Sequence, residues 1–204
     1  MRKIDCKKPV CLLSYKSEKE QRGDKMNTEE RTDEFVLAID PALSTTGYAV
    51  INKNTLELIY INKFTTSPKK SLDERINEIV AKLFSIAAQY NVKDVILEDG
   101  FSGTNLGTGL KLATLRGAII GVFAFCKYNV VHMMPTQIRK YLGVGGNAKK
   151  EDVAQAVIDM YPNNKKLEII GPYSDKQNKD KTSDIYDAIS IGVAYIKGLK
   201  DGEF

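Results

Sequence analysis

The sequence predicts an α/β fold in which a mixed five-stranded sheet is flanked by helices. Five short apolar runs have the length and composition of β-strands. Three of these runs follow one another directly and predict a meander, whereas helical patterns separate the last two. The 204-residue chain is long enough to bury one substantial core.

Each element has its own signal. Residues 71–90 predict an amphipathic helix, because apolar side chains recur every three or four residues and Ser71 with Glu74 forms a capping box. Residues 109–125 predict an apolar helix, and residues 162–182 a polar loop. The predicted strands are FVLAID, GYAVIN, LELIYINKF, DVILED and NVVHMM. The later predicted helices are PTQIRKYLG, KKEDVAQAVIDMY and SDIYDAISIGVAYIKGL.

Charge distribution, cysteine spacing and the length of apolar runs limit the kind of protein that this sequence can be. Residues 1–33 are dense in both charge signs and lack an apolar period, which predicts a disordered or loosely attached N-terminal extension before a folded domain at 34–204. The net charge of +4 is a mild indication of a polyanionic partner. The three cysteines lack CxxC spacing, which argues against a disulfide framework and a zinc site. No apolar stretch approaches membrane length and no secretory segment is recognised, so we expect a cytoplasmic protein with no membrane partner.

Two predicted strands end in a carboxylate. Asp40 closes FVLAID and Glu98 closes DVILE, and neighbouring strands would bring both groups to one end of the sheet. A buried carboxylate without a partner is unfavourable by several kcal/mol. A divalent cation removes that cost, because hard oxygen ligands suit Mg²⁺ or Mn²⁺.

The last helix adds Asp184 and Asp187, which share one helical face because they are three residues apart. Strand-end acids are often solvated loop residues, and the helical pair could instead favour a helix N-terminus. The four acids together suggest a two-metal phosphoryl-transfer site, which needs no histidine or serine nucleophile.

Four motifs resemble the RuvC family of Holliday junction resolvases. They are LAIDPALSTTGYAVI, ILEDGFSGTNLGTGLKLATLRGA, PTQIRKYLGVGGNAKKEDV and SDIYDAISIGVAY, and they occur in the family's order. The resemblance implies an RNase H-like fold of the retroviral integrase superfamily, with three layers. It also implies a homodimer that cuts four-way DNA junctions with two Mg²⁺ ions per site, for which Mn²⁺ would substitute, and no small-molecule cofactor. By motif position it makes Asp40, Glu98, Asp184 and Asp187 the catalytic and metal-binding residues.

Basic residues near these motifs are candidate DNA contacts. Lys149 and Lys150 begin a helix, where their charge opposes the helix dipole and suggests an external anion. The resemblance assigns DNA contacts to Arg139, Lys150 and the aromatic Phe101. Further candidates from the residues alone are Lys111, Arg116 and Lys140. Solvated surface positions, or for Phe101 packing over the core, are the structural alternatives.

Several functional alternatives remain open at this stage. The chain could be another RNase H-type nuclease that acts on RNA–DNA hybrid or on other branched DNA. It could be a nucleotide- or phosphate-binding module of the sugar-kinase/actin type, although Pro41-Ala42-Leu43 lacks that loop's glycine. A catalytically silent junction-binding protein is disfavoured by the complete set of acids. The apolar helix at 109–125 is wide enough to contact both the sheet and a second subunit.

Overall fold

The computed structural model describes residues 34–99, 106–170 and 176–204. The strands in these ranges are β1 (Phe35–Asp40), β2 (Thr45–Asn52), β3 (Leu58–Thr65), β4 (Asp94–Glu98) and β5 (Asn129–Met133). They form one sheet in the order β3-β2-β1-β4-β5. β2 pairs antiparallel with β1 and β3, and β4 pairs parallel with β1 and β5. The predicted mixed sheet is confirmed.

Helices cover both faces of the sheet. They are α1 (Leu72–Gln89), α2 (Leu106–Phe125), α3 (Pro135–Leu142), α4 (Lys150–Met160), α5 (Lys165–Ile170) and α6 (Lys176–Lys200). Successive side chains of β1 face opposite sides of the sheet. Leu37 and Ile39 pack with α1 and α2, whereas Val36 and Ala38 pack with α3, α4 and α6. The result is a helix–sheet–helix arrangement with a core on each side of the sheet.

The predicted loop at 162–182 is wrong where helices replace it. α5 lies at Lys165–Ile170, and α6 begins at Lys176, before the predicted start at Ser183. The stretch from Lys176 has no proline or glycine to stop a helix, and it is polar, so it lacks the apolar period that sequence analysis detects. Residues 1–33 and 171–175 lie outside the described residues.

α2 has an unusual composition for a surface helix. Among the described helices it alone is long and apolar enough to cross a membrane, by length and composition only. The prediction that no apolar stretch approaches this length missed α2, because Lys111 and Arg116 interrupt the run. Leu115, Ile119 and Phe123 are buried in the core, as predicted for a helix that covers the sheet.

Candidate active site

Asp40 and Glu98 end two neighbouring parallel strands. Ile39 of β1 is aligned with Leu97 of β4, so the two acids follow at adjacent positions of the same sheet edge. Alternation along the strands places Asp40 on the side of Ala38, the side that packs against α6. The predicted proximity of the two strand ends is confirmed, and both carboxylates belong to the α6 side of the sheet.

α6 brings the other two acids to this edge. Asp184 and Asp187 lie well inside the helix, since α6 begins at Lys176, and this removes helix capping as the explanation for their position. A Cβ built at Gly47 of β2 would lie 1.9 Å from the backbone oxygen of Asp184. Only a glycine at this strand position allows α6 to come so near the sheet. Gly47 is paired with Asp40 in the β1–β2 ladder, so the contact lies directly beside the first acid.

A second glycine maintains the same close packing further along α6. A Cβ at Gly192 would lie 2.9 Å from the Cβ of Ala38 and 2.7 Å from Cδ1 of Ile51. The helix backbone therefore rests on β1 and β2. This contact fixes the height of the helix that carries Asp187 above the sheet.

The carboxylates destabilise one another's charged forms. Burial, followed by the charges of Asp187 and Glu98, raises the pKa of Asp40 from 3.8 to about 7. Burial and the charge of Asp187 also raise the pKa of Glu98. Burial raises the pKa of Asp187 in spite of a neighbouring lysine. A site that disfavours its own negative charges is suited to bind cations.

Three cations surround these acids. Nζ of Lys150 lies 2.8 Å from Oδ2 of Asp187, and the positive charges of Arg116 and Arg139 act on Glu98. The acids and the cations share one cavity at the end of the sheet. Among the described residues, its lining comprises Asp40, Pro41, Glu98, Leu112, Arg116, Pro135, Ile138, Arg139, Lys150, Val153, Asp187 and Ser190.

Asp184 occupies a different position from the other acids. Its side chain is outside the lining of the cavity, and Oδ2 lies 3.6 Å from Nζ of Lys63 on β3. Its charge still contributes to the raised pKa of Asp40. In the described part of the chain, no group of three or more His, Cys, Asp or Glu side chains is arranged to hold a metal ion as it stands.

The remaining candidate DNA contacts are not all brought to the cavity. Lys149 is the exposed N-cap of α4 beside Lys150, and Lys111 is exposed on α2. Lys140 points elsewhere: its Nζ lies 2.7 Å from Oε1 of Glu203 and 5.1 Å from the ring centre of Tyr141. Phe101 lies outside the described residues.

Sequence reasoning missed the residues that hold the loop after Asp40. Arg75 of α1 donates from Nε to Oγ1 of Thr66 (2.7 Å) and from Nη2 to the carbonyl oxygen of Leu43 (2.8 Å). The Thr66 hydroxyl donates to that same carbonyl. Arg75 thus joins α1 to the β1–β2 loop, a contact across 32 residues that no local pattern reveals.

Ser190 was also missed, although helical spacing could have found it. It lies three residues after Asp187 on α6, lines the cavity, and donates from Oγ to the backbone oxygen of Asp187 at 2.7 Å. Gly47 could likewise have been found, because a glycine inside a strand often marks a close approach of another backbone.

Comparison with known proteins decides the family. The family model described as crossover junction endodeoxyribonuclease RuvC matches residues 36–195. The chain belongs to the RuvC family. A RuvC of Helicobacter pylori is 34% identical over 81% of this chain and 98% of its own length. A RuvC of Ehrlichia ruminantium is 27% identical with the same coverage of both chains. These relatives are named as endodeoxyribonucleases, so the resemblance found in the motifs is confirmed.

Solved structures of Holliday junction resolvases share the fold. Thermus thermophilus RuvC in complex with Holliday junction substrate matches with a TM-score of 0.68 at 20% identity, over 83% of this chain and 97% of that chain. The yeast mitochondrial Holliday junction resolvase Ydc2 matches with a TM-score of 0.62 at 16% identity, over 84% and 82% of the two chains. The RNase H-like fold that the RuvC resemblance implied is confirmed.

Proposed function

We propose that this chain is a homodimeric endonuclease that resolves four-way (Holliday) DNA junctions by paired, metal-dependent hydrolysis of phosphodiester bonds. The observation that carries the proposal is the common cavity of Asp40, Glu98 and Asp187, with Arg116, Arg139 and Lys150 in its lining. Such chemistry requires acidic side chains that bind the metal ions and positively charged side chains that bind the DNA phosphates. In each cut, water would attack phosphorus and the bond to the 3′ oxygen would break, leaving a 5′ phosphate.

The residues of the site fit a divalent metal. The acidic side chains of the site offer carboxylate oxygens, the ligand type preferred by Mg²⁺ and Mn²⁺. Burial and the neighbouring negative charges raise the pKa of Asp40, and a bound cation would favour its charged form. Asp40, Glu98 and Asp187 would hold the ions, and Asp184, which lies outside the cavity lining, is the fourth candidate ligand. Bound Mg²⁺ would supply Lewis-acid activation of the attacking water and of the leaving oxygen.

The basic side chains would bind and orient the DNA backbone. Arg116 of α2 and Arg139 of α3 line the same cavity as Glu98, and their positive charges act on it. Their planar guanidinium groups can bind two oxygens of one phosphate. Lys149 and Lys150 would extend this surface along the start of α4. Lys111, Lys140 and Phe101 remain sequence predictions of DNA contacts. Lys140 is the weakest of these candidates, because its ammonium is paired with Glu203.

The outer face of α2 supports the proposed homodimer. Leu106, Leu110 and Phe125 are 78%, 60% and 76% exposed, an unusual concentration of apolar surface on one helix. A second copy that covers this face would place two sites in twofold symmetry, matching a junction with two scissile strands. Leu110→Glu should shift the species seen by light scattering from dimer to monomer. A variant that remains dimeric would move the interface away from α2.

The activity test uses the purified full-length chain with three labelled substrates: a four-way junction, a linear duplex and an RNA–DNA hybrid. We expect paired, ligatable nicks only in the junction and only with Mg²⁺ or Mn²⁺. Asp40→Asn should abolish cleavage and leave junction binding intact. As a control, Asp99→Asn should cleave normally, because Asp99 is exposed and directly follows Glu98. Preferential cleavage of the hybrid would replace the proposal with an RNase H-type activity. The proposed location is the cytoplasm, where the DNA substrate would be found.

A further inference from the structure

The ion pair between Lys150 and Asp187 joins two elements that no local pattern connects. Nζ of Lys150, at the start of α4, lies 2.8 Å from Oδ2 of Asp187 on α6. The Lys150 side chain is 69% exposed, whereas that of Asp187 is 18% exposed. The ammonium therefore reaches into the acid cluster from solvent, while the carboxylate is held by the fold.

We propose that Lys150 is a tethered counter-cation that neutralises Asp187 until a metal ion takes that carboxylate and displaces the ammonium. The inference rests on the proposed function, because it concerns the same acids. In the described part of the chain the acids are not arranged to hold an ion as they stand, and one of them is engaged by Lys150. In the proposed exchange, metal binding breaks this ion pair.

The exchange is physically easy. An ion pair with an exposed partner is weak, because water competes for the ammonium and the long side chain loses rotamer freedom when it is held. Lys150 has four rotatable carbon bonds and can leave without any movement of α4. A divalent ion that meets several carboxylates at once has the greater charge and the greater number of ligands.

Arg139 provides the matched control. It lines the same cavity, carries the same charge and acts on Glu98 at longer range, but no ion pair between Arg139 and an acid is found in the described part of the chain. Removing either residue reduces the general repulsion felt by a metal ion. Only the removal of Lys150 also releases a carboxylate, so the difference between the two variants isolates the proposed exchange.

The first test is calorimetric titration of the full chain with Mn²⁺ in the absence of DNA. Lys150→Met should lower the Kd for Mn²⁺ by about three- to fivefold, the ratio expected when an exposed ion pair no longer competes. Arg139→Met should lower it less. In the Asp187→Asn background, adding Lys150→Met should leave the Kd for Mn²⁺ unchanged relative to Asp187→Asn alone. Equal effects of the two charge removals, or weaker binding by Lys150→Met, would overturn the proposal.

A second test observes the ammonium itself. Reductive methylation with a ¹³C label keeps each lysine charged and gives one NMR signal per side chain, and Lys150→Met assigns the signal of interest. Saturation with Mg²⁺ should move that signal toward the position of the exposed neighbour Lys149. An unmoved signal at saturating Mg²⁺ contradicts the exchange alone. Absence of any metal binding by the wild-type chain contradicts both the exchange and the proposed function.

Discussion

Replacing Asp40 by asparagine should stabilise the metal-free protein. The folded state disfavours the charge of Asp40, because burial and the charges of Asp187 and Glu98 raise its pKa from 3.8 to about 7. Each pH unit between the unfolded and folded pKa values is worth about 1.4 kcal/mol. The wild-type protein is therefore destabilised progressively as pH rises from 3.8 to about 7, and the penalty is constant above that range. The variant has no such group to ionise.

The magnitude follows from these two pKa values. The stability advantage of Asp40→Asn should be about 2 kcal/mol near pH 5 and about 4 kcal/mol near pH 8, as upper bounds. For a chain of this size, about 1 kcal/mol corresponds to roughly 2–4 °C in Tm. Thermal and urea unfolding in a chelator at the two pH values measures the gap. Added Mg²⁺ should reduce or reverse it, because the wild-type site then binds the ion.

Asp99→Asn is the matched control, since Asp99 is exposed and lies one residue after Glu98. It makes the same chemical change without removing a buried carboxylate, so it should not reproduce the stabilisation expected of Asp40→Asn. The reasoning is refuted if the gap between Asp40→Asn and wild type fails to widen from pH 5 to pH 8. It is equally refuted if the asparagine variant is the less stable protein at pH 8 in chelator.

Three further predictions concern residues that support the fold, two of them beside the site. Gly47→Ala should destabilise the fold by about 3 kcal/mol, because the new methyl group overlaps a backbone carbonyl of α6, and urea unfolding measures this loss. Arg75→Gln should weaken Mn²⁺ binding and lower the free energy of unfolding by about 2 kcal/mol, because a charged donor to the loop after β1 is lost. Arg75→Lys should restore part of both the binding and the stability. Unchanged Mn²⁺ affinity in the glutamine variant would contradict a positioning role for Arg75. Lys53→Met removes the ammonium 2.9 Å from the buried carboxylate of Asp94, which should lower stability by about 2 kcal/mol with no change in Mn²⁺ affinity.

Local patterns were sufficient for most of the fold. β1 occupies the predicted FVLAID residues, and α1 covers Leu72–Gln89 of the predicted 71–90, with the predicted capping box at Ser71. These signals are short-range, because they depend on residues within one strand or one helical turn. The start of α6 was missed for the same reason: its first turns lack an apolar face, so helix and polar loop have similar patterns.

The acids were predictable, but their environment was not. A charge at the end of an apolar strand identifies Asp40 and Glu98 without any knowledge of tertiary structure. The pairing of Lys150 with Asp187 connects residues 37 positions apart, and that of Lys63 with Asp184 connects β3 to α6. Which cation meets which acid depends on the height and rotation of α6 on the sheet, and these are set by packing.

The two glycine contacts of α6 have a consequence for sequence drift. Backbone atoms at Gly47 and Gly192, rather than bulky side chains, limit how near the helix comes to β1 and β2. Exchanges of similar volume elsewhere in the core change packing quality but leave this limit unaltered. In a saturation library scored for junction cleavage, tolerance should therefore be broad across the apolar core and close to zero at these two positions. The spacing of the acids therefore depends on Gly47 and Gly192, where even the smallest added side chain would push α6 away from the sheet.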